Sequence, residues 1–123
     1  MSNYIAKKNN QSLDVWQIVK TDIENKILSG YYAAGHKLPS IRQISEEYGV
    51  GQTTAQKVFT VLTREGIIES KHGIGHYVNA YIRERLIAER KWNLEKRAKE
   101  LVEEADLIGV DLLPIIKRLS DKE

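Results

Sequence analysis

Apolar residues recur at spacings of three and four near the start of the chain, and this periodicity predicts a first helix. Ser12 or Asp14 is expected to supply its N-cap, and Gly30 is the stop signal that follows it. The segment YYAAGHKLP then forms a loop, because it contains both glycine and proline. The positions that we expect to pack inward are Val15, Trp16, Val19, Ile23 and Ile27.

Two shorter helices are predicted next, separated by a tight turn. Ser40 can cap the first of them, and Gly49 ends it. The second helix begins at Gln52 or Thr53 and runs to about Arg64. The inward-facing positions of the two helices are Ile41, Ile44, Tyr48, Ala55, Val58, Phe59 and Leu62.

The segments IIESK and HYVNA, on either side of HGIG, predict two short strands joined by a glycine turn. Two strands alone would be marginally stable, so the hairpin must pack against the helices. A helix, a short helix, a tight turn, a helix and a hairpin follow one another in the order of a winged helix-turn-helix. The predicted fold of residues 1–80 is therefore mainly α with a small β-hairpin.

Residues 81–123 have a different pattern, with 20 charged residues among 43 and a narrow apolar seam that repeats every seven residues. Gly109 divides this segment into a long helix and a short one, and Asp111 can cap the second. Because the seam is too long for the first domain to bury, we expect a two-helix dimerisation domain that pairs with a second copy. The expected dimer contacts are Ile87, Leu94, Leu101, Ile108, Leu112 and Ile116.

Composition excludes several classes of protein. The chain has no cysteine, which rules out disulfides, zinc fingers and thiol chemistry. The first residues lack the apolar core of a signal peptide, and no apolar run approaches membrane-spanning length, so we expect a cytoplasmic protein with no membrane partner. Because the sequence has no phosphate-binding glycine loop, no metal-ligand cluster and no nucleophile with a base, we expect neither an enzyme nor a cofactor or metal.

Net charge says little about the partner. The formal charge is +2, and residues 1–80 carry nine Lys/Arg against seven Asp/Glu, whereas residues 81–123 carry ten of each. An excess of two charges is too small to indicate nucleic-acid binding by itself.

The chemistry at the start of the third helix, QTTAQ, is more informative. A glutamine can hydrogen-bond bidentately to adenine N6 and N7, and a threonine hydroxyl can bond to a phosphate or a base. Small polar side chains at a helix start also leave the backbone N–H groups free to approach a phosphate. In a winged helix-turn-helix this helix lies in the major groove, so the predicted partner is double-stranded DNA.

The stretch KLPSIRQISEEYGVGQTTAQKVFTVLTREGIIESKHGIGHYV resembles the DNA-binding domain of the GntR family of bacterial transcription regulators, and the resemblance covers residues 12–79. The short two-helix tail resembles that of the YtrA-like subgroup. This resemblance implies a nucleoid-associated homodimer that binds an inverted repeat and acts mostly as a repressor. The residues that match the family pattern in register are Leu38, Pro39, Ser40, Arg42, Gly49, Val50, Thr54, Gly66, Gly73, Gly75, Tyr77 and Val78.

The resemblance also implies which residues touch DNA. Two positions depart from the family pattern, because Gln52 and Gln56 stand where arginine is usual, and this predicts more adenine in the half-site. Lys57 and Lys71 are either phosphate contacts or solvated charges, and His72 either touches DNA or is simply exposed. The expected DNA contacts are Ser40, Arg42, Gln52, Thr53, Thr54, Gln56, Lys57, Lys71, His72, Gly73 and Gly75.

A second function remains open at this point: a winged-helix adaptor whose helix-turn-helix face docks a protein instead of DNA. The modest net charge and the two glutamines favour this alternative, whereas the retained Ser40, Arg42 and threonines disfavour it. A small-molecule effector is possible but not evident, and it would have to lie between the domains or at the dimer interface.

Overall fold

The computed structural model describes residues 14–121, and its elements follow the predicted order. The mainly helical fold with a two-stranded antiparallel hairpin is confirmed. Ser12, one of the two expected N-caps, lies outside the described residues. The elements are α1 (Val15–Leu28), α2 (Ile41–Tyr48), α3 (Gln52–Arg64), β1 (Ile68–Lys71), β2 (Gly75–Val78), α4 (Ile82–Ile108) and α5 (Leu112–Ser120).

Local capping explains where the helices begin and end. Asp14 is the N-cap of α1, and its N–H donates to Gln17 Oε1 at 3.0 Å. At the start of α2, Ser40 and Gln43 exchange two hydrogen bonds of 3.0 and 2.7 Å, which is a capping box. Gly49 ends α2 with φ of 65°, a left-handed conformation that favours glycine.

The core of the first unit lies between the three helices and the hairpin. The prediction that Val15 packs inward is wrong, because this residue is 55% exposed. It lies in the first turn of α1, and periodicity along a helix does not show where the neighbouring elements end. The buried apolar residues here include Val19, Ile23, Ile27, Leu38, Ile44, Ala55, Val58, Phe59, Leu62, Ile67, Ile68 and Val78.

The hairpin is held by the loop before α2 as well as by the helices. The Leu38 N–H donates to the His76 carbonyl, and the Val78 N–H donates to the His36 carbonyl, both at 2.9 Å. Lys37 thereby forms a bridge to Tyr77, so β2 has backbone partners on both sides. A two-stranded ribbon with this third partner is better supported than an isolated hairpin.

The chain divides into two compact units after Leu86. Ile82 and Leu86, in the first turns of α4, belong to the core of the first unit, each with 2% exposure. The sequence placed a domain boundary after Ala80, and that assignment of domains stays a prediction. In the part of the chain that the structure describes, no helix combines the length and the hydropathy needed to cross a membrane.

Candidate nucleic-acid interface

The turn between α2 and α3 is fixed by one serine. The Ser45 hydroxyl donates to the Val50 carbonyl at 2.5 Å, and the Val50 N–H donates to the Ser45 carbonyl at 3.0 Å. Gly51 then serves as the N-cap of α3 with φ of −67° and ψ of 159°. Since glycine carries no side chain, it cannot accept a hydrogen bond from the first N–H groups of α3. Those groups point out of the helix start.

One face of α3 is buried and the other is exposed and largely uncharged at its N-terminal end. Gln52, Thr53 and Gln56 are exposed, and Thr54 is half-buried. Gln56 Nε2 donates to the Thr60 hydroxyl at 3.4 Å, which extends the polar face by one turn. The predicted side chains therefore lie together on one accessible surface, with the hydrogen-bonding chemistry that base edges require.

Ser40 and Arg42 lie at the start of α2. The Ser40 hydroxyl accepts the Gln43 N–H as part of the capping box, but its own O–H remains a donor. The Arg42 side chain is 77% exposed, and its Nε lies 3.5 Å from Glu46 Oε2. An ion pair this exposed holds the guanidinium only weakly, so Arg42 is available to a phosphate or a base.

Lys57 has an aromatic partner that the sequence did not indicate. Its Nζ lies 4.6 Å from the ring centroid of Trp16, a cation–π contact between α1 and α3. Trp16 was expected to pack inward, and it is half-buried against the core. The contact holds the Lys57 ammonium on the outside of α3. Because the two residues are far apart in the chain, no local pattern could have paired them.

The turn of the hairpin carries His72 and Gly73, which are both exposed. The Ile74 N–H donates to the Lys71 carbonyl at 2.9 Å and closes this turn, while Gly73 has φ of 72°. Lys71 Nζ lies 4.4 Å from the ring centroid of Tyr77. The turn is therefore narrow, and a cation stands at its base.

Gly75 begins β2 with φ of 135°, a conformation that favours glycine. A Cβ at this position would lie 2.8 Å from Lys37 Cε and 3.6 Å from its Nζ. The side chain of Lys37 thus lies against the hairpin close to its turn. No local sequence pattern indicates Lys37, because this contact depends on the loop pairing with β2.

His76 connects the hairpin to α3. Its ring stands edge-on to the ring of Phe59, with 4.8 Å between the centroids. Burial lowers the pKa of His76 from its ordinary value of 6.5, so the imidazole is neutral at physiological pH. Within the described residues, neither this histidine nor His72 belongs to a group of three or more side chains that could hold a metal ion.

A lysine surrounded by tyrosines ties α2 to α1. Lys26 Nζ lies 3.0 Å from Glu47 Oε2 and 3.5 Å from Asp22 Oδ2. The ammonium also lies 5.4, 5.7 and 4.9 Å from the ring centroids of three tyrosines. Burial lowers the pKa of Lys26, but the hydrogen bonds to Tyr48 and Glu47 outweigh it and leave that pKa raised. The three rings belong to Tyr31, Tyr32 and Tyr48.

The second unit presents an apolar surface of its own. The predicted seam residues of α4 are exposed, and Leu94 is 58% exposed and Leu101 42% exposed. Between α4 and α5 lies a groove of about 530 Å³, which is of the size that small ligands or partner side chains fill. The groove is lined by Ala98, Leu101, Val102, Ala105, Asp106, Val110, Asp111, Leu112, Leu113 and Ile116.

The sequence profile of the family described as "Bacterial regulatory proteins, gntR family" matches residues 17–78. The chain belongs to this family. The match spans α1, α2, α3 and the hairpin, which are the elements that carry the interface described above.

Individual proteins resemble the chain over different lengths. "HTH-type transcriptional repressor YtrA" of Bacillus subtilis is 28% identical over 101 residues, which are 82% of this chain and 78% of YtrA. The structure of a "GntR family transcriptional regulator from Listeria monocytogenes" is 26% identical, with a TM-score of 0.71, and covers 92% of this chain and 98% of that one. A structure described as "AraR(DBD) in complex with operator ORX1" is 27% identical, with a TM-score of 0.52, over 55% of this chain and 81% of that one.

Family membership and fold together make this GntR protein a DNA-binding transcription regulator of the winged helix-turn-helix class. The names of the family and of its relatives denote regulators of transcription, not enzymes.

Proposed function

We propose that this GntR protein is a homodimeric repressor that binds an inverted-repeat operator through α3 and the hairpin. The observation that carries the proposal is the exposed, hydrogen-bonding start of α3, which belongs to the same compact unit as the exposed turn of the hairpin. The similarity to a repressor, YtrA, over most of both chains supports the sign of regulation. A dimer that covers promoter DNA would block polymerase sterically.

In this proposal Gln52 and Gln56 contact bases and the threonines contact a base or a phosphate. Both glutamines are exposed side chains of α3. Glutamine pairs well with adenine, whereas the arginine usual in the family pairs with guanine. We therefore expect an operator with more adenine at the positions that these two side chains face.

The cations around this face contact phosphates and position the domain. Arg42, Lys57 and Lys71 are exposed, and the last two are held by aromatic rings. Ser40, His72, Gly73 and Gly75 complete the proposed contacts, with Gly73 allowing the backbone to come close to the DNA. Affinity should fall with salt by ~0.9 log units per phosphate contact for each log unit of salt concentration.

The tail is the proposed dimer contact. An exposed seam on α4 and an open apolar groove beside α5 leave more apolar surface than a single copy of this unit can cover. A second copy offers the same surface and would bury both. The residues proposed to make this contact are Ile87, Leu94, Leu101, Ile108, Leu112 and Ile116.

Changing two seam leucines tests the dimer. Leu94→Glu/Leu101→Glu should convert the protein to a monomer in sedimentation and weaken binding to the DNA upstream of its own gene sharply. Leu107→Glu is the matched control, since Leu107 is 85% exposed and lies about two and a half helical turns along α4 from Ala98, which places it on the opposite face. A double variant that stays dimeric, or a control that also dissociates, would contradict the proposed contact.

A further inference from the structure

We propose that Arg83 and Arg85, in the first turn of α4, are positioning residues that set the spacing between half-sites that this protein accepts. They do so by holding the start of α4 to the C-terminal ends of α1 and α3. Because half-site spacing matters only for a dimer on an inverted repeat, this assignment rests on the proposed function. The specificity concerned is for spacing, which the base contacts of α3 do not determine.

Both arginines donate to backbone carbonyls at the C-terminal ends of helices. Arg83 Nε donates to the carbonyl of Leu28, the last residue of α1, at 3.1 Å. Arg85 Nη2 donates to the carbonyl of Glu65, the C-cap of α3. The last carbonyls of a helix lack partners within it and carry the negative end of its dipole, so a guanidinium suits this position. Two helices of the first unit are therefore joined to the same turn of α4.

The core and one asparagine hold the same stretch of chain. Ile82 and Leu86 lie one helical turn apart on α4, and each is 2% exposed within the core of the first unit. Asn79 Nδ2 donates to the Gly66 carbonyl at 3.1 Å, and its Oδ1 accepts the Tyr81 N–H at 3.0 Å. Apolar packing is non-directional, whereas hydrogen bonds require a defined geometry. The core therefore keeps α4 in contact with the unit, and the two arginines fix its direction.

Glu65 also connects this end of α3 to α1. Its carboxylate lies 3.0 Å from Lys20 Nζ, which in turn lies 2.7 Å from Glu24 Oε2. The C-terminal end of α3 is thus held by α1 through the Glu65 side chain and by α4 through the Glu65 backbone. Since the other end of α3 carries the proposed base contacts, the orientation of α3 on DNA is coupled to the direction of α4.

The direction of α4 matters because this helix continues to Ile108 and carries the proposed dimer contacts. One added base pair shifts a half-site by about 3.4 Å and turns it by about 35° around the duplex. A helix rises about 1.5 Å per residue, so a tilt of about 10° moves a point about 20 residues away by about 5 Å. Without the arginine bonds, α4 could tilt enough for the dimer to follow such a change in spacing.

The test measures binding to operators that differ only in spacing. An operator is selected from random DNA with the full-length protein, and duplexes are made with shorter spacers, with longer spacers and with a single half-site. Fluorescence anisotropy then gives the Kd of each duplex for wild type, for Arg83→Met/Arg85→Met and for Lys96→Met/Lys99→Met. The last variant is the matched control, because it removes two charges from exposed positions of α4 that line neither the seam nor the groove.

Wild type should bind its operator at least about tenfold more tightly than any duplex with altered spacing. In Arg83→Met/Arg85→Met this ratio should fall below about threefold, while the Kd for the single half-site stays within about twofold of wild type. The control should keep the wild-type ratio. Urea unfolding and sedimentation come first, and if the double variant is not a folded dimer, Arg83→Met and Arg85→Met are measured singly, each with a ratio below that of wild type.

Three results would overturn the assignment: an unchanged ratio in the folded arginine variant, a loss of affinity that is equal on every duplex, or a control that loses the ratio as well. The second result would leave the arginines as supports of stability only. Wild type that prefers the operator over a single half-site but tolerates every spacer contradicts this assignment alone. Wild type that binds a single half-site as tightly as the operator contradicts the proposed function as well.

Discussion

The two glycines that bracket the turn before α3 should respond in opposite directions to the same substitution. Gly51 has φ of −67° and Gly49 has φ of 65°, and a Cβ at either position would meet nothing within 4 Å. Both positions therefore have room for a side chain, and they differ only in backbone conformation. Gly51→Ser should stabilise the fold, whereas Gly49→Ser should destabilise it.

The magnitudes follow from separate effects. Serine in place of glycine at an N-cap adds a few tenths of a kcal/mol, and loss of glycine from the unfolded chain adds about 0.4–1 kcal/mol, so Gly51→Ser should gain about 1 kcal/mol. At Gly49 the left-handed conformation costs about 1–2 kcal/mol for a residue with a Cβ. The same gain from the unfolded chain offsets part of that cost, which leaves a net loss of up to about 1.6 kcal/mol.

Urea unfolding of wild type and both variants at one protein concentration measures these differences, since the stability of a dimer depends on concentration. The urea concentration at the unfolding midpoint should rise for Gly51→Ser and fall for Gly49→Ser, while the dependence of the unfolding free energy on urea stays the same. If Gly51→Ser lowers the midpoint, the N-cap geometry of α3 is wrong. If Gly49→Ser raises the midpoint as Gly51→Ser does, the left-handed end of α2 is wrong.

Two further predictions concern the supports of the interface. Lys26→Met should lower the free energy of unfolding by about 1–2 kcal/mol, because it removes contacts to two carboxylates and three aromatic rings. Arg42→Met breaks only an exposed ion pair, so it should change the free energy of unfolding by less than about 0.5 kcal/mol. Urea unfolding without DNA checks both, and equal losses would contradict the reasoning. Because burial lowers the pKa of His76, the unfolded chain binds more protons, so the contribution of this residue to stability is complete above pH 6.5 and is lost as the pH falls through the folded pKa. Unfolding measured at about pH 7.5 and about pH 5 should show a smaller loss in His76→Gln than in wild type, and an equal loss in both would assign the effect elsewhere.

Sequence signals between neighbouring residues were sufficient to predict the order of the helices and strands and where they begin and end. A serine three residues before a glutamine and a glycine after a tyrosine define α2, and these are interactions between near neighbours. The periodicity of α3 correctly placed its buried face for the same reason.

Contacts between distant segments could not be predicted from those patterns. Lys26 lies 21 residues from Glu47, and Lys37 meets Gly75 only because the preceding loop pairs with β2. The burial of Val15 was predicted wrongly, since a helical pattern specifies a face but not how far the partner elements extend. The candidate interface was therefore predicted as a set of exposed residues, whereas the groups that hold it in place required the structure.

The central claim is that the start of α3 selects the operator bases as part of a dimer. Selection of sites from random DNA, carried out in parallel with wild type and Gln52→Arg, tests it most directly. Wild type should enrich an inverted repeat with adenine at the positions that Gln52 and Gln56 face, and the variant should change one position in each half-site to guanine. Enrichment without two-fold symmetry, or the same sequence from both proteins, would contradict the account.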